Sequence, residues 1–131
     1  MIASKMLRVG AFAAVLAVTA CLGGLTLSAS GLQIAPNPAS PGDVVVASFH
    51  LVLVPLQPHT VVVTIDNREH HRVTSSETPG QPFVITLGDA ADLIAEYGAG
   101  SHVARVEVRA EEAGETARTQ SVGFELEAVV P

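Results

Sequence analysis

Apolar residues recur at every second position through most of this chain, and that period limits the fold more than any other feature of the sequence. In VVVASFHLVLV, residues 44–54, the side chains of Val45, Ala47, Phe49, Leu51 and Leu53 fall on one side of an extended backbone. Pro55 and Pro58 end this strand, because proline cannot donate to a sheet ladder. The same period places Val61, Val63 and Ile65 together, and Asp66-Asn67 then forms a tight turn into EHHRVT. SSETPGQP is a loop by composition, and PFVITLG aligns Phe83, Ile85 and Leu87.

One segment departs from this period. DAADLIAEYG predicts a short helix, with Asp89 as N-cap, Asp92 in the first turn and Gly98 at the C-terminal cap. Alternation resumes in GSHVARVEVRA, which aligns His102, Ala104, Val106 and Val108. After the turn EEAGET, RTQSVGFELE aligns Val122, Phe124 and Leu126. The pattern predicts an all-β antiparallel two-sheet sandwich of six or seven strands, with one short helix before the penultimate strand.

The N-terminus is of another kind. Lys5 and Arg8 precede a run without charge from Val9 to Pro41, densely apolar as far as Leu27. This is the layout of a basic region followed by the apolar region of an export signal. Val18-Thr19-Ala20-Cys21 resembles the lipobox of bacterial lipoproteins, and the resemblance implies cleavage before Cys21 and a diacylglycerol on its thiol. Two other outcomes fit the same residues. A peptidase could cut at Ser28-Ala29-Ser30 and release a secreted domain, or residues 9–30 could remain as an uncleaved membrane helix. The expected division is a signal peptide over 1–20, a tether over 21–31 and a folded domain over 32–131. A catalytic thiolate is excluded, because Cys21 lies among leucine and alanine with no base beside it.

Beyond residue 20 there is no lysine, and five arginines face thirteen carboxylates. So acidic a chain has no basic face for nucleic acid or anionic lipid. A single cysteine also rules out a disulfide framework.

PNPASPGDVVV resembles the opening of bacterial immunoglobulin-like domains, and AGSHVARVEV with FELE resembles their last hairpin. The nearest group is the CARDB-like set of cell-adhesion-related domains, with the likeness running from Leu32 to Val129. It implies an Ig-like sandwich that works by binding.

Few residues suggest chemistry. His102 has the parity of Ala104 and Val106, so its ring turns inward and needs a partner, expected in the loop around Tyr97. DNREHHR offers Asp66, Glu69, His70 and His71 and, with His59, a conceivable metal site for zinc, copper or nickel. Adjacent strand residues point to opposite faces, however, so His70 and His71 share an ion only across a turn or bulge. No phosphate loop, G-x-S-x-G or H-E-x-x-H pattern occurs. On the strand that buries Phe49, the residues Val44, Val46, Val52 and Val54 face outward, either under other segments or as a patch for a partner. The expectation is an exported, membrane-tethered, non-catalytic module for protein binding, adhesion or envelope scaffolding, with no cofactor. The alternatives are a small extracytoplasmic metal-binding protein and an accessory carbohydrate-binding domain. The second is disfavoured by the lack of exposed aromatic platforms.

Overall fold

The computed structural model describes residues 24–128. Eight strands and one helix follow in chain order: β1 (Thr26–Ala35), β2 (Val44–Val54), β3 (His59–Ile65), β4 (Arg68–Ser75), β5 (Phe83–Asp89), α1 (Ala90–Tyr97), β6 (Gly100–Ala110), β7 (Glu115–Arg118) and β8 (Val122–Leu126). The first sheet has the order β1-β2-β5. The second runs β4-β3-β6-β7, with β8 also paired to β6. All ladders are antiparallel, and the two sheets enclose one valine- and leucine-rich core that includes Phe49, Leu51, Ile65, Val106, Val108 and Leu126. Cys21, the 1–20 signal region and most of the 9–30 anchor alternative lie outside the described residues.

The structure corrects the sequence reading in two places. Residues 26–31, assigned to a tether or to the end of a membrane helix, form the first half of β1. Leu25, Leu27 and Ala29 point into the core, and so do Leu32 and Ile34, with a bulge at Ser30–Gln33 between the two sets. The bulge moves the inward parity from odd to even numbers, which hides the strand from a strict two-residue period. Gly31 supplies its left-handed residue, φ 69°.

The second correction concerns the last strand, which is two strands. Thr119, 4 % exposed, interrupts it: its hydroxyl accepts from the Val106 amide at 3.0 Å and its own amide donates to the Val106 carbonyl at 2.9 Å. The side chain thus replaces one rung of the ladder to β6 in the gap where β7 has ended and β8 has not begun.

The expected helix forms. Asp89 accepts from the Ala91 amide at 2.8 Å, and Gly98, φ 91°, donates to the Ile94 carbonyl at 2.8 Å. Leu93 and Ala90 are its buried residues, so one leucine is the main anchor of α1. Among the described residues no helix is long and apolar enough to cross a membrane.

Candidate functional site

The β3–β4 turn, the end of α1 and the start of β6 meet at the end of the sandwich where β3 stops. Asp66 and Asn67 both have positive φ, 51° and 65°, as a two-residue hairpin between right-twisted strands requires. This turn holds the Asp66 carboxylate against β6: Oδ1 accepts from the Val103 amide at 3.0 Å, and Oδ2 lies 2.6 Å from His102 Nδ1. On the other side of the ring, His102 Nε2 lies 2.7 Å from the Gly98 carbonyl. The imidazole is only 6 % exposed and has Phe124 and Tyr97 packed around it. This β6 side chain bonds back to the backbone four residues upstream and so closes the corner.

Both acceptors oblige the ring to donate twice, which only the imidazolium can do. Burial pulls the His102 pKa down, but the bonds to Asp66 and to the Gly98 carbonyl outweigh it and leave the pKa above the ordinary 6.5. The same bond to His102 holds the Asp66 carboxyl below 3.8, against the opposing effect of desolvation. Each shift has its own pH window. Stability from Asp66 is present above 3.8 and lost as pH falls through its lower folded pKa. Stability from His102 is complete below 6.5 and lost as pH rises through its higher folded pKa. The urea midpoint is therefore expected to be flat between these limits and to fall on both sides; a midpoint that rises above pH 7 would contradict the pair.

His70 joins the corner through a second bulge. In β4 the register runs from Val63↔His71 to Thr64↔Glu69, so His70 is the extra residue and its ring is re-aimed. Its Nε2 donates to the Leu87 carbonyl at 2.7 Å, and its Nδ1 accepts from the Tyr97 hydroxyl at 2.9 Å. Burial, with Glu96 beside it, pushes the Tyr97 pKa up, so the hydroxyl keeps the proton it donates. Arg68 lies over the Tyr97 ring, 4.9 Å from its centroid, and pairs with Glu96 at 3.5 Å.

The five metal candidates are not brought together, which corrects that reading. Asp66 is engaged with His102, Glu69 with Arg72 at 2.8 and 3.0 Å, and His70 with Leu87 and Tyr97. His71 is exposed. His59 is buried at the far end of β3, its Nδ1 bonded to the Gln57 carbonyl at 2.9 Å. Among the described residues there is no group of three or more histidine, cysteine or acidic side chains placed to hold a metal ion.

The two outer faces differ sharply. Outward positions of the second sheet carry ion pairs, Arg72–Glu69 at 2.8 Å and Arg118–Glu107 at 2.6 Å, with Arg109–Glu111 at 3.7 Å beside them. On the first sheet, the outward positions of β1 and β2, and of β5 as far as Thr86, hold no carboxylate and no guanidinium. Valine, serine and threonine dominate, with His50 and Gln33. Val44, Val52 and Val54 are 54, 41 and 58 % exposed, and Val46 is half-buried. Ser48 and His50 separate the two valine pairs along β2, and Val84 on β5, 57 % exposed, flanks Ser48. Sequence reasoning passed over Val84, although its parity opposite to Phe83 and Ile85 already turned it outward.

With this geometry in hand, comparison of the chain with protein families, with curated proteins and with solved structures finds no match.

Proposed function

We propose that this chain is an exported, N-terminally tethered Ig-like domain that binds another protein through the charge-free face of its first sheet and performs no catalysis. The observation that carries this reading is the segregation of charge: five arginines and thirteen carboxylates lie beyond residue 20, yet none points outward from β1, β2 or β5 up to Thr86. Depletion of charge is the compositional mark of an interface core, and aligned exposed valines add apolar area to it. Against catalysis stands the state of the His102–Asp66 pair: both nitrogens of His102 are already bonded, so neither is free to take a substrate proton.

The strand order supports the Ig-like assignment. First, second and fifth strands share one sheet, while third, sixth and last share the other, as in immunoglobulin domains. The fourth strand pairs with the third rather than with the fifth, so it has crossed to the second sheet.

Cleavage before Cys21 leaves four residues ahead of buried Leu25, which holds the domain within about 14 Å of its anchor. Intact mass of the membrane fraction tests this, with an acylated chain starting at Cys21 expected. A full-length unmodified chain points to an uncleaved helix.

Partner capture by crosslinking in intact cells tests the docking face. A Val52→Lys, Val84→Lys double variant is expected to lose the captured protein while its unfolding midpoint stays within about 0.5 kcal/mol per site, because both positions are exposed. Undiminished capture would rule out this face.

A further inference from the structure

Every polar partner of the His102 ring is an acceptor, and this separates it from an ordinary buried histidine, which donates once and accepts once. We infer that the corner is a proton-dependent latch: the β3–β4 turn and the α1–β6 junction are held together while His102 carries both ring protons, and come apart when it loses one. The inference does not depend on the docking face.

The geometry forces the outcome. A neutral ring that keeps its Nδ1 proton turns the Nε2 lone pair toward the Gly98 carbonyl at 2.7 Å. One that keeps its Nε2 proton turns the Nδ1 lone pair toward a carboxylate oxygen at 2.6 Å. Either form sets two lone pairs against each other at hydrogen-bond distance; the ring is 6 % exposed, which shields the contact with the Gly98 carbonyl from water, while the Asp66 carboxylate, 40 % exposed, meets solvent on its outer side.

The surrounding groups act in the same direction. The β3–β4 turn and β4 contribute Asp66, Arg68 and His70; α1 contributes Glu96 and Tyr97; β8 packs Phe124 on the ring. Arg68 offsets one of the two carboxylates, Asp66 and Glu96, and the imidazolium offsets the other. Loss of the His102 proton removes the positive charge that faces Asp66 and leaves that carboxylate to the Val103 amide and to solvent. His70 bonds to Tyr97 and Leu87, not to His102, and so does not replace it.

The latch lies at the end of the sandwich away from Thr26, since Thr26 pairs with Val54 near the β2–β3 loop whereas Asp66 follows the opposite end of β3. Its opening therefore changes the β3–β4 turn and the end of α1, the part of the domain farthest along the strands from where β1 begins.

The test is an NMR titration of the full chain in detergent micelles, following the five imidazole Cε1–Hε1 signals and the protection of the Asp66, Gly98 and Val103 amides. His102 is expected to titrate above 6.5. Across that transition the three protection factors should fall together, by about tenfold for each pH unit by which the folded pKa exceeds the free one. The β3–β6 ladder at Val62 and Glu107 should keep its protection. A His102 that titrates at or below the free value overturns the latch, as does corner protection that ignores the transition. His102→Tyr, which can still donate to the Gly98 carbonyl but has no titration near neutrality, is expected to abolish the pH response. Should that variant fail to fold, Asp66→Asn is expected to move the His102 midpoint downward, and an unmoved midpoint would equally overturn the proposal.

Discussion

A chain that begins at Ser30 is expected to lose the native sandwich, whereas one that begins at Cys21, with Cys21→Ser to avoid acylation, is expected to fold. The shorter chain lacks Leu25 and Leu27, 5 and 6 % exposed, together with Ala29. It also lacks the rungs Thr26↔Val54, Leu27↔Leu53, Ser28↔Val52 and Ala29↔Leu51, which uncovers the end of β2. Loss of one buried leucine side chain costs about 2–5 kcal/mol. Two such losses with the missing ladder reach about 5–10 kcal/mol, comparable to the whole stability of an ordinary domain, about 5–15 kcal/mol. Circular dichroism and urea unfolding of the two chains decide the matter, and equal midpoints would show that the first half of β1 is dispensable. The result bears on processing. A cut at Ser28-Ala29-Ser30 would destroy a core strand, while a cut before Cys21 spares it. An uncleaved helix from Val9 must stop before the buried Leu25, which leaves 16 residues, just under the short limit for a span of about 17–25.

Leu93→Ala is expected to destabilise the domain by about 2–5 kcal/mol and to disturb the histidine corner as well. Leu93 is 1 % exposed, and besides it α1 buries only Ala90. Without that anchor, the helix no longer holds the Gly98 carbonyl and the Tyr97 ring against His102. The variant should therefore show two changes: a lower urea midpoint, and a His102 titration moved back toward the ordinary 6.5. A lowered midpoint with an unmoved titration would mean that the corner is held by the β3–β4 turn alone. Val84→Ser, on the outer face, is the control and should change stability by no more than about 0.5 kcal/mol.

Much of the core was legible because β2, β3 and β6 keep one parity from end to end, so each inward residue follows from the one before it. The helix was legible too, because Asp89 and Gly98 are residues whose side-chain chemistry or conformational range suits the two caps. β1 was not. Its parity changes at Gly31, and its first half follows the N-terminal apolar run without a polar break, so its leucines read as the tail of that run. The inward turn of His102 followed from its neighbours, whereas its bond to Asp66 did not, being 36 residues away and made across a turn whose shape no local pattern states.

Outside β1, the residues that leave water follow from the chain's own pattern, since alternation of apolar and polar residues is a local property that one strand can express alone. The acidic balance and the long uncharged apolar run near the N-terminus are equally local. What those strands bring together depends on how they pair. Bulges at Gly31 and His70 re-aim side chains by inserting one residue against the opposing strand, and such an insertion exists only relative to a partner. The charge-free face and the doubly bonded imidazole are of the same kind. Each is made by pairing between distant segments, and pairing is settled when the whole core closes.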